Sequence, residues 1–116
     1  MTTGGTSETL GDYREGVLAW DLLGLDNVSK ANALSDRLHR LAKRLRETSD
    51  GRAGLEGLMR DEQIGVRLFA ATECLTWAAD LAVPVLEEIE GTAGPQAFSA
   101  KYTLKQFRAG TWKLDW

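Results

Sequence analysis

The stretch Asp80-Leu81-Ala82-Val83-Pro84-Val85-Leu86-Glu87-Glu88-Ile89-Glu90 decides how this chain folds. Its leucines, alanines and glutamates favour a helix. A proline inside a helix removes a hydrogen bond and crowds the preceding turn, whereas in the first turn it costs nothing. Joined to the apolar run before it, the stretch would complete one kinked helix from Ile64 to Glu90, about 40 Å long at 1.5 Å rise per residue. That is long for a chain of 116 residues. Taken as a beginning, it opens the second helix of a pair, with Pro84 in its first turn.

An internal repeat favours the second option. Phe69, Ala71 and Leu75 recur 29 positions later as Phe98, Ala100 and Leu104, and Leu55 with Met59 recurs 30 positions later as Val85 with Ile89. Helix pairs at such a period are the mark of stacked solenoids, in which each pair buries a face against the next. Asp61 to Glu90, "DEQIGVRLFAATECLTWAADLAVPVLEEIE", resembles a HEAT repeat, with Val66-Arg67, Ala70-Ala71, Leu75, Pro84 and Leu86 where that pattern expects them. Together with "KANALSDRLHRLAKRL" at Lys30–Leu45, the arrangement is similar to a bacterial family of short HEAT-like proteins, the domain-of-unknown-function family 2019. The resemblance implies a short α-α superhelix of five or six helices. It carries no established activity and transfers no catalytic residue.

The remaining segments fit an all-α chain. Residues 1–6 read as a flexible leader, 7–110 as a single helical domain, and 111–116 as a tail. From Ser7, the stripe Leu10, Tyr13, Val17 and Trp20 predicts a helix with Trp20 in the core. Ala31, Leu34, Leu38, Leu41 and Leu45 form the clearest seam, and Asp50-Gly51 predicts the turn that closes that helix. A short helix fits Leu55–Met59. A helix from Ile64 to Ala78 is apolar on nearly every side, places Trp77 in the core, and must be covered on more than one flank. The last helix spans about Gln96–Arg108 and stops at Gly110. No segment alternates with the period of a strand.

Composition narrows the function classes. Hydrophobic residues make up 43% of the chain and charged residues 27%, the balance of an ordinary globular domain. Cys74 and His39 are the single cysteine and histidine, in different predicted helices, so neither a disulfide nor a Cys/His zinc site can form within the chain. Cys74 reads as a small buried hydrophobe and His39 as a rim residue. No phosphate-cradling loop or nucleophile elbow occurs. The expectation is no enzyme, no catalytic residue, no cofactor and no metal. The polar, glycine-rich start and the lack of a membrane-spanning apolar run predict a cytoplasmic protein.

Charge is unevenly distributed. Net charge is −3 overall, but +5 over 29–46 and −4 over 67–90. The expected role is protein binding, with Pro84 to Glu90 as the contact strip, through Glu87, Glu88 and Glu90, joined by Arg37, Arg40 and Arg44. Trp112 and Trp116, in "TWKLDW", either cap the open end of the solenoid or touch the partner. The HEAT-like resemblance adds a sharper expectation, because small acidic bacterial proteins of this kind can serve as immunity proteins that block a toxin. An acidic strip would suit a basic toxin domain. The alternative is nucleic acid cradled by the basic helix 29–46, against which the acidic pI of about 5.1 argues.

Overall fold

The computed structural model describes residues 5–23 and 27–112. Among them are six helices and no strand: α1 (Gly5–Leu22), α2 (Val28–Arg46), α3 (Ser49–Leu58), α4 (Ile64–Cys74), α5 (Ala79–Glu90) and α6 (Pro95–Ala109). The all-α class and the helix number are those expected from the periodicities. Gly5 and Thr6, expected in the leader, already belong to α1; residues 1–4 lie outside the described residues. The described helices fall into two compact units, 5–55 and 56–112, with the division inside α3.

In the first unit α1 packs on α2. Tyr13, Gly16 and Val17 are buried on α1, and Leu38, Leu41, Ala42 and Leu45 on α2, so the leucine seam faces inward for most of its length. Gly16 permits the close approach, since a Cβ there would stand 2.8 Å from Leu38 Cδ2. Trp20 departs from the expected core, being 37% exposed near the end of α1.

Asp50-Gly51 is not the predicted turn. The two residues lie in the first turn of α3, where the Thr48 Oγ1 accepts the Gly51 N–H at 2.9 Å and satisfies a donor the helix leaves free. Gly51 is set by space, because a Cβ at this position would overlap the Leu45 backbone carbonyl. The short helix expected over Leu55–Met59 is thus, up to Leu58, the last turn of a longer one, with Met59 in the turn that follows.

In the second unit α4 packs against both α5 and α6, the double cover that a helix apolar all round requires. Gly65, Val66, Leu68, Ala70, Ala71, Glu73 and Cys74 are buried along it. α4 ends at Cys74, earlier than the expected Ala78. Leu75–Trp77 turn, and Ala78 leaves helical geometry at φ −138° and ψ 49° before α5 begins.

The expected break between two helices is therefore present, but Pro84 is the sixth residue of α5 and lies in its second turn. It has no N–H to return to the Asp80 carbonyl. The first-turn reading fails because the turn at 75–77 places the helix start before the proline rather than at it. α6 opens with Pro95 in its first turn, after Gly94 at φ 109°, and ends on left-handed Gly110 at φ 77°. Of the repeat positions, Ala71, Leu75, Ala100 and Leu104 are all buried, but Phe98 is 73% exposed.

Candidate binding groove on the fifth helix

Successive residues of a helix point about 100° apart. On α5 the buried side is Ala82, Leu86 and Ile89. Leu81, Val85 and Glu88, at steps of four and three, share a different side, with Pro84 next to them. Glu90, four residues after Leu86, borders the buried side and is half-buried, while Glu87 points away from both. The expected acidic strip is therefore a fan of three directions rather than one surface.

Beside the Leu81 side of α5 lies a groove of about 370 Å³, lined by Glu56, Gly57, Met59, Arg60, Leu81 and Val85. Its walls come from the end of α3 and from α5. Met59 is buried, Val85 half-buried, and Leu81 remains 47% exposed. Glu56 is held in place, since the Trp77 indole N–H donates to its Oε2 at 2.9 Å. Trp77 is half-buried and engaged in this bond, where a core position was expected. The walls are apolar and the rim carries one acid and one base, the make-up of a site that takes an apolar group and orients it with few polar contacts.

Cys74 is fully buried. Burial, then the nearby charges of Glu56 and Glu73, push its thiol up to about 12. A thiol held so strongly protonated is no nucleophile at neutral pH. Among the described residues no group of three or more His, Cys, Asp or Glu side chains is placed to hold a metal ion.

The remaining predicted residues are placed as follows. Glu87 accepts from Arg108 of α6 at 2.6 Å, with both side chains about half exposed, so its charge is already partnered. Glu88 is exposed and Glu90 half-buried. Arg37, Arg40 and Arg44 share one exposed side of α2, and Arg37 stands 3.9 Å from Asp12 of α1. These arginines belong to the first unit and the glutamates to the second. His39 is half-buried, and Trp112 is half-buried with its ring edge toward Phe107 at a centroid separation of 6.3 Å. Trp116 lies outside the described residues. Val85 falls within the expected strip from Pro84 to Glu90, whereas Leu81 lies outside it, because a helix residue facing a groove has the same spacing as one facing the core.

No family model and no curated protein matches the chain. Among solved structures it is similar to the crystal structure of protein RPA1889 from Rhodopseudomonas palustris CGA009. Identity is 29% and the TM-score 0.84, over 93% of this chain and 92% of that one. No helix of the described residues is long and apolar enough to cross a membrane.

Proposed function

We propose that this chain is a non-catalytic protein-binding module, whose α3–α5 groove takes an apolar side chain of a partner with Glu88 beside it for a basic residue. The observation that carries the reading is Leu81, 47% exposed at the wall of an apolar groove on a helix whose other exposed residues are mostly charged. An apolar groove of this kind is filled by an anchor side chain of the partner, and a contact desolvated in that way is where binding energy concentrates in interfaces. On the Leu81 and Val85 side of α5 the charged residue is the exposed Glu88, which favours a basic residue of the partner there. The sealed, protonated Cys74 argues against thiol catalysis.

In its sharper form the reading is a cytoplasmic HEAT-like immunity protein that neutralises a bacterial toxin domain. The paired packing of α4 with α5 and the bacterial source of the similar crystal structure support that form. The test compares purified wild type with Leu81→Asp and Glu88→Lys in pull-downs read by mass spectrometry. One recurring protein, lost with either variant, is the expected result; recovery that both variants leave unchanged removes the groove as the site. Failure to bind or protect against a toxin encoded beside the gene removes the immunity form alone. The alternative is nucleic acid on the Arg37, Arg40 and Arg44 side of α2. It predicts affinity that falls steeply with salt, and no binding at low salt ends it.

A further inference from the structure

α6 presents a second surface that the groove does not explain. Phe98, Tyr102, Lys105 and Ala109 follow one another at steps of four, three and four, so they form one side of the helix along most of its length. All four are exposed. Phe98 is 73% and Tyr102 57% exposed, although aromatic rings of this size carry a large apolar area into water. The Gln106 amide donates to the Tyr102 hydroxyl oxygen at 2.9 Å, which orients the phenol on the surface. The helix carries Lys101, Lys105 and Arg108 and no acidic residue at all.

A seam with spacing of four and three is the half of a helix pair that another helix completes. Its charge selects that helix. Lys101 and Lys105 stand beside the two rings, while Arg108 is turned toward Glu87. The geometry points to the Phe98–Tyr102–Lys105–Ala109 side of α6 as a docking surface for an acidic amphipathic helix of a partner protein. The partner's apolar side chains cover the two rings, and its carboxylates face Lys101 and Lys105. Opposite charge fixes orientation and register, while the rings supply the area removed from water.

The test is selection from a display library of short amphipathic helical peptides against the full chain, followed by binding measurements on the enriched peptides. They are expected to carry net negative charge around an apolar seam. Binding should weaken by about tenfold or more with Phe98→Ala/Tyr102→Ala. Lys101→Glu/Lys105→Glu should weaken it similarly, while Glu88→Lys, on the groove side of α5, leaves it unchanged. Both substituted pairs are exposed, and circular dichroism checks that the variants remain helical. Enriched peptides that are neutral or basic, or binding indifferent to the ring substitutions, overturn the inference. So does single-stranded oligouridylate displacing the peptides, which would make the rings a base-stacking surface. Self-association abolished by Phe98→Ala would assign the face to a second copy, and likewise overturns it.

Discussion

Trp77 and Glu56, 21 residues apart, are joined by a 2.9 Å hydrogen bond from the indole N–H to the carboxylate Oε2. The bond ties the turn after α4 to the end of α3, at the rim of the groove. The same carboxylate raises the Cys74 thiol. Replacing Glu56 with Gln keeps an oxygen acceptor for the indole but removes the charge. The Cys74 thiol should then titrate lower than in wild type, read from the ultraviolet absorbance of the thiolate against pH. An unchanged titration would show that burial and Glu73, without Glu56, set it.

Cys74 also gives stability a definite pH dependence. Its thiol rises from 9.0 to about 12 on folding, so between these values the unfolded chain has lost the proton while the folded chain keeps it. Stability conferred by the neutral buried thiol is complete below pH 9 and declines toward pH 12. Urea denaturation in that window should show a steeper loss with pH for wild type than for Cys74→Ala, which carries no thiol. Parallel slopes for the two proteins would contradict the assignment.

Pro84 withholds a donor from the Asp80 carbonyl in the second turn of α5. Pro84→Ala supplies the missing N–H and should raise stability by about 1–3 kcal/mol, less a few tenths for the added freedom of the unfolded chain. Chemical denaturation measures it, and a loss of stability would mean that the ring's own packing outweighs the restored bond.

Two glycines should respond in opposite directions. Gly51→Ala forces a methyl group against the Leu45 carbonyl and should cost about 1–3 kcal/mol. At Gly11, within α1, a Cβ meets open space, and Gly11→Ala should add about 0.5–1 kcal/mol. Thermal denaturation of the two variants side by side provides the comparison.

The Glu87–Arg108 pair is short at 2.6 Å but half exposed. A double-mutant cycle with Glu87→Gln and Arg108→Gln should yield no more than about 1 kcal/mol, shrinking as salt is added. A larger, salt-independent coupling would point to a far drier environment than the exposure indicates.

Those parts of the molecule governed by local periodicity were legible in the sequence. The Leu38, Leu41 and Leu45 seam, the all-round apolar α4 and the Gly110 stop all follow from spacing and backbone preference. Pro84 was harder, because the turn at 75–77 carries no proline or glycine to mark it. Gly51 looked like a turn residue, yet it is glycine for want of room between α2 and α3, a fact about packing rather than local conformation. Trp20 and Phe98 lie at positions whose spacing suits the core, and exposure depends on which neighbour is present. The groove was hidden for the same reason, since its walls come from segments more than twenty residues apart. Of the expected contact residues, Glu88 shares the side of α5 that bears Leu81 and Val85, and Glu87 is engaged by Arg108; spacing alone could not separate them.

α5 is wholly acidic and α6 wholly basic in its charged residues, and the two pack side by side. Their charges nearly cancel in sum but not in position, so the pair carries an electric dipole across its surface. Packed helices stand about 8–10 Å apart, close to the screening length of about 8 Å at physiological salt. A passing molecule thus feels little pull from a distance and a strong torque on arrival. The surface is suited to turning a partner into alignment rather than to drawing it in.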